Sequence, residues 1–270
     1  MVRPSPLSIA AGLAGGVLNV AVVLALYARG GYPTLESVAG IAVPAFALGF
    51  LALFVSAHTR LFAPAIGFLA VLAGTASVEL TTPHPEWGTL DGYVIVDGPT
   101  HVASYANTWY VWLSLVLVAG LLEFGIRRGY GLGGERLRNL PTVPLSRATL
   151  AWFVGGGSSL VGAATVLLVL RAGIRPPVAS VAVFAVTAAV VGVPLAALLG
   201  RGIVSPAVLF AVLVPYFLTV EVFVATDSPV HILLFGPYAI VLAVAWALEA
   251  GIRSRLRGWE GGRFADEEPV

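Results

Sequence analysis

Apolar residues fill long unbroken stretches of this chain, and polar residues gather in short segments between them. Eight stretches stand out, at about 7–28, 36–57, 61–80, 108–126, 148–170, 178–199, 203–224 and 230–250. Each approaches or exceeds the ~20 residues that a helix needs to cross a bilayer core. An open sheet at that depth leaves its backbone polar groups unpaired, so the stretches predict transmembrane helices. Pro44, Pro194, Pro215 and Pro237 fall inside them. Proline removes an amide donor and crowds the preceding turn, so kinks or interruptions are expected there. The first stretch follows Met1-Val-Arg3-Pro-Ser-Pro6 without a convincing cleavage site, and reads as a retained helix.

The polar segments orient the bundle. With the N-terminus inside, twelve arginines fall inside and only Arg29, Arg171 and Arg175 fall outside. That bias predicts a cell-membrane protein with both termini cytoplasmic. The outer loops carry Glu36, Glu86, Asp91, Asp97 and Asp227. Trp87, Trp109 and Tyr110 mark the outer interface and Trp259 the inner one. In the long outer loop 81–107, Asp91-Gly92 and Asp97-Gly98 are turn signals flanking a short strand-like run, which predicts a small ordered cap.

Polar and charged residues also reveal an internal repeat. At an offset of 142 residues, Arg29-Gly30-Gly31 falls on Arg171-Ala172-Gly173, Pro64-Ala65 on Pro206-Ala207, and Ser77-Val78-Glu79 on Thr219-Val220-Glu221. At an offset of 126, Leu122-Glu123-Phe124-Gly125-Ile126-Arg127 falls on Leu248-Glu249-Ala250-Gly251-Ile252-Arg253. Charge inside apolar sequence is rare, so these matches weigh more than matched leucines. The predicted fold is an all-α integral membrane protein of two tandem four-helix repeats. Four is even, so the repeats insert in parallel orientation. The first repeat is 1–128, with outer loop 81–107. A basic cytoplasmic linker, 129–146, joins it to the second repeat, 147–255, and 256–270 reads as a disordered tail.

Composition narrows the chemistry. Hydrophobic residues make up 58% and charged residues 11%, with mean hydropathy +0.93. A soluble domain carries about 25% charged residues, so most of this surface must face lipid. The net charge of +1, with no basic–aromatic tract, speaks against nucleic acid as a partner. The expected partners are the lipid bilayer and a membrane protein, either another chain or a second copy. Without cysteine there is no disulfide or thiolate site. All basic residues are arginine, so Schiff-base, pyridoxal and P-loop chemistry are excluded. No cofactor is expected.

Few groups remain as site candidates. Glu123 with Arg127, and Glu249 with Arg253, are spaced i, i+4 near helix ends and read as structural ion pairs. Glu79 and Glu221 end the third helix of each repeat, and Arg29 and Arg171 end the first. An Arg–Glu pair in each repeat explains arginine on the outside. With Tyr216, these residues are also candidates for a solute or ion pathway, because Pro215 puts a helix break before Glu221. His84, His101 and His231 lie on the outer side and are the candidates for a metal site, without diagnostic spacing. Gly12, Gly15 and Gly16 of the first helix are set against Gly155, Gly156 and Gly157 of the fifth, small residues that allow close approach. Ser158 and Ser159 lack a base partner in sequence, which argues against a serine protease.

Three functions fit. A permease-like transporter of a small solute or ion uses the paired carboxylates and kinked helices. A non-catalytic subunit or scaffold fits the scarcity of deep polar groups. An outer-face metal-dependent enzyme uses the histidines. The balance leans away from an enzyme.

Overall fold

The computed structural model describes residues 4–32, 38–91, 93–224, 230–256 and 264. The described chain is almost wholly helical. Eight helices are long and apolar enough to cross a membrane. In order they are α1 (Pro6–Arg29), α2 (Ala39–Thr59), α3 (Ala63–Thr81), α5 (Trp109–Gly129), α6 (Arg147–Arg171), α7 (Pro177–Arg201), α8 (Ser205–Phe223) and the span His231–Arg255. That last span combines the short α9 (Val230–Leu233) with α10 (Phe235–Arg255). The long loop holds β1 (Glu86–Leu90), β2 (Tyr93–Asp97) and a seven-residue helix, α4 (His101–Asn107). The strands pair antiparallel from Glu86↔Asp97 to Leu90↔Tyr93, with Asp91 in the left-handed region at φ 50°. The loop thus contains a two-strand hairpin. We call the end of the bundle carrying it the hairpin face, and the opposite end the terminal face.

Local sequence sets where the helices start and stop. Ser5 and Ser146 cap α1 and α6, accepting from the amides of Ser8 and Thr149. Proline occupies the first turn of α1, α3, α7 and α8, where its missing N–H costs nothing. Both α2 and α7 end on a left-handed residue, Arg60 at φ 62° and Gly202 at φ 66°. The expected interruptions at proline do not occur. Helices α2, α7 and α8 run unbroken through Pro44, Pro194 and Pro215. In an apolar medium the remaining backbone bonds hold a helix together across the one that proline deletes. Pro237 lies in the first turn of α10, where no intrahelical bond is lost.

Packing within each half is dominated by sequential neighbours. Gly15 and Gly49 bring the backbones of α1 and α2 into contact, and the rings of Phe46 and Phe50 cover Gly16 and Gly12. The expected meeting of these glycines with Gly155–Gly157 is not made. A Cβ on Gly155 or Gly156 would meet nothing within 4 Å, and one on Gly157 would touch Leu195 and Leu121. The glycine notch on α1 is already filled by the phenylalanine ladder of α2. The two halves meet where α5 packs on α6 and α7, and where α4 packs on α8. Phe124 and Phe153 cross edge to face in that seam. At the terminal face, Arg253 donates to the Tyr130 hydroxyl, which donates to the Gly202 carbonyl. Phe264 packs on Tyr130.

Deep polar groups are few; the buried hydroxyls of Thr75, Ser158 and Thr187 have no partner among the described residues, while others are closed. Asn19 is fully buried, donates to the Ala45 carbonyl at 2.7 Å and accepts from the Tyr105 hydroxyl at 2.8 Å. Tyr105 thereby anchors α4 to α1 and α2. Thr165 donates to Val161 O of its own helix. Leu7, Val17, Ile66, Val212, Ile240 and Leu248 point outward, as a lipid-facing surface requires.

Candidate functional site

The first four amides of a helix have no partner within it, so a carboxylate nearby is drawn to them. Four glutamates in this bundle occupy such positions, each on a different element from the amides it receives. At the terminal face, Glu123 Oε2 accepts from Phe62 N at 2.7 Å and Ala63 N at 2.6 Å, where α3 begins. Its Oε1 accepts from Arg127 at 2.7 Å. Arg127 also reaches the carbonyls of Arg60 and Gly133 and lies over the Phe62 ring. Glu249 does the same where α8 begins, accepting from Val204 N and Ser205 N, with Arg253 paired to it. Each glutamate thus meets the arginine four residues on in its own helix. The amide partners lie about 45–60 residues away in sequence, a distance at which the i, i+4 pattern carries no sign of them.

The hairpin face holds the other two glutamates. Glu79 accepts from the Tyr32 hydroxyl at 2.8 Å and from Val102 N, at the start of α4, at 3.0 Å. Burial, and then the bond to Glu79, push the Tyr32 phenol above its usual range. Glu221 Oε1 accepts from His231 N at 2.6 Å and contacts His231 Nδ1 at 2.9 Å, where α9 begins. The expected Arg–Glu pairs at this face do not form. Among the described residues, no ion pair joins Arg29 or Arg171 to Glu79 or Glu221. The orphan amides of α4 and α9 engage the carboxylates instead.

The remaining candidates disperse. Tyr216 is 60% exposed on the outer surface of α8, away from both glutamates' hydrogen bonds. His84 is exposed, His101 stands edge-on to Phe223, and His231 belongs to Glu221. Among the described residues no three histidine or acidic groups converge on a possible metal position. Asp227 and Glu36 lie outside the described residues.

Two cavities open toward the hairpin face, lined by different sides of α4 and α8. One, of about 480 Å³, is apolar and lies between α3 and α8, lined by Val71, Thr75, Val78, His101, Trp112 and Phe223 among others. The other, of about 310 Å³, is polar and lies where α4, α6 and α8 meet. Its lining includes Thr100, Ser104, Thr108, Arg171 and Glu221. The hydroxyl residues recur every four positions, at the two caps of α4 and at its fourth residue, a helical spacing that the sequence itself carries. Comparison with protein-family models, curated proteins and solved structures finds no match for the chain.

Proposed function

We propose that this chain is a non-catalytic membrane component, a subunit or scaffold of a larger complex. The observation that carries this reading is the use of Glu79, Glu123, Glu221 and Glu249 as acceptors for helix-terminal amides. A carboxylate so engaged is committed to architecture. Freeing it for ion handling takes the acceptor from helix-start N–H groups that are part-buried at Ala63, Val102, Val204 and His231, at about 1–3 kcal/mol each. The fully buried Asn19 is closed on Ala45 and Tyr105 in the same way. An apolar groove between α3 and α8 suits contact with other membrane-embedded groups better than passage of a hydrophilic solute.

The test is flux. Vesicles containing the purified protein and an internal pH dye are expected to leak protons no faster than empty vesicles. A proton or solute flux that Glu79→Gln/Glu221→Gln abolishes, with the protein still folded, overturns the reading in favour of a permease.

The same reading includes a tandem duplication, 1–128 and 147–255, in parallel orientation with both termini cytoplasmic. Recurrent backbone detail supports it. Gly30 N and Tyr32 N bond to Leu26 O and Tyr27 O, and Ala172 N and Ile174 N bond to Leu168 O and Val169 O, all offset by 142. Left-handed Gly31 and Gly173, and left-handed Arg60 and Gly202, keep that offset. So do the amide pairs received by Glu123 and Glu249. The native chain lacks cysteine, so single cysteines report cleanly. Thr82→Cys should react with an impermeant maleimide on intact cells, and Ser146→Cys only after lysis. The reverse pattern inverts the topology.

A further inference from the structure

The polar cavity at the hairpin face holds opposite charges that do not meet. Arg171, the last residue of α6, supplies one wall, and Glu221 of α8 supplies another. No salt bridge joins them. Glu221 is only 3% exposed, yet its two hydrogen bonds both fall on Oε1. Its Oε2 receives no bond from a described residue, in a side chain that lines the cavity. Ser104 of α4 and the two residues that cap it, Thr100 and Thr108, share the lining. Thr108 Oγ1 is spent on the Ser104 carbonyl, whereas Thr100 and Ser104 bring hydroxyls with no protein partner among the described residues.

A half-used carboxylate in a nearly buried side chain calls for a donor. Arg171 is exposed and already meets the Tyr110 hydroxyl, but a guanidinium carries five donors and keeps others for an anion in the cavity. A lone anion entering here meets the Glu221 carboxylate, and a lone cation meets the Arg171 guanidinium. A ligand carrying both charges satisfies both walls. The volume of about 310 Å³ lies at the low end of small-molecule sites, which run from ~300 to ~1,000 Å³. We infer that the cavity between α4, α6 and α8 binds a small zwitterion, its ammonium on Glu221 Oε2 and its phosphate or carboxylate on Arg171, with Thr100 and Ser104 donating to the anion. The level of the cavity, at the ends of spanning helices, makes two sources chemically equivalent: an ethanolamine-phosphate lipid headgroup and a free soluble zwitterion. The inference does not depend on the scaffold reading, since a bound zwitterion requires no path across the bundle.

The experiment uses the full chain in two arms. In lipid-free detergent, thermal unfolding is followed with phosphoethanolamine, and with phosphocholine, ethanolamine and inorganic phosphate as comparators. In nanodiscs of phosphatidylcholine with or without phosphatidylethanolamine, native mass spectrometry reads which lipid the protein retains. Stabilisation by phosphoethanolamine beyond all three comparators supports the site with a soluble ligand. Selective retention of phosphatidylethanolamine supports it with a lipid. In either arm Arg171→Gln should weaken binding about tenfold or more, the loss of one charge-assisted hydrogen bond. Glu221→Gln should do likewise. Because Glu221 also receives the His231 amide, Thr100→Val joins Arg171→Gln in carrying the test if that variant does not fold. Equal stabilisation by inorganic phosphate, undiminished binding in Arg171→Gln, or no selectivity in both arms overturns the assignment.

Discussion

Replacing Glu123 by glutamine tests the central structural claim with the smallest change of shape. Glu123 presents one oxygen to the Phe62 and Ala63 amides and the other to Arg127. Glutamine keeps one acceptor and turns the other into a donor. If its carbonyl stays with the amides, its NH₂ faces the guanidinium. If the carbonyl turns to Arg127, the NH₂ faces two N–H groups. Either way donors oppose donors. The side chains of Glu123 and Arg127 are 14% and 13% exposed, so water does little to relieve the conflict. Hydrogen bonds to a charged group contribute about 1.5–3 kcal/mol each, and Arg127 keeps its bonds to the Arg60 and Gly133 carbonyls. One such bond lost predicts a destabilisation of about 1.5–3 kcal/mol, or roughly 3–12 °C in Tm at this size. Glu123→Ala removes the acceptor of all three donors and should cost at least as much as the glutamine change, with about 1–3 kcal/mol from the part-buried Ala63 amide alone. The assay is thermal unfolding in mild detergent, read by tryptophan fluorescence. Glu249→Gln, which meets the Val204 and Ser205 amides and Arg253, should fall by a similar amount. A shift below about 1 °C in both variants refutes the reasoning. The amides would then have other acceptors, and the carboxylates would be free for other work.

Further expectations rest on single contacts. Tyr32, with its phenol raised by burial and by Glu79, holds its proton more tightly folded than unfolded. Its contribution is complete below the ordinary phenol value of about 10 and is lost as pH rises beyond it, so Tyr32→Phe should flatten the alkaline fall in Tm. Gly15→Ala pushes a methyl onto the Gly49 backbone and should cost about 1–3 kcal/mol, while Gly155→Ala meets open space and should leave Tm unchanged or slightly higher. Arg60→Gly should relieve left-handed strain of roughly 1–2 kcal/mol, and Gly202→Ala should introduce it, both read as shifts in Tm.

The spans were legible because crossing length is a threshold set by the bilayer. The stretch read at 108–126 is the helix Trp109–Gly129, and that read at 178–199 is Pro177–Arg201. The i, i+4 pairs at Glu123 and Glu249 were legible because one helix carries both partners. What that pattern does not encode is the third partner, a helix start on another span. The same gap misled the reading of the hairpin face. Sequence set Glu79 beside Arg29 because charges suggest each other, whereas Glu79 joins the amide of Val102 and the hydroxyl of Tyr32. Helix α4 stayed hidden because seven residues show too little period to stand out in a long loop. With it went Tyr105, Thr100 and Ser104, and so the polar cavity.

The amide-receiving glutamates also set an order of manufacture. When α3 leaves the ribosome, the acceptor for its first amides lies some 60 residues behind, in α5. Until α5 arrives, those amides must hold water or lipid headgroups, which keeps the start of α3 at the membrane surface. Helix α8 waits in the same way for Glu249 at the far end of the last span. The starts of α3 and α8 are therefore completed only by later spans, α5 and α10, and a nascent chain stopped before them carries an open helix end.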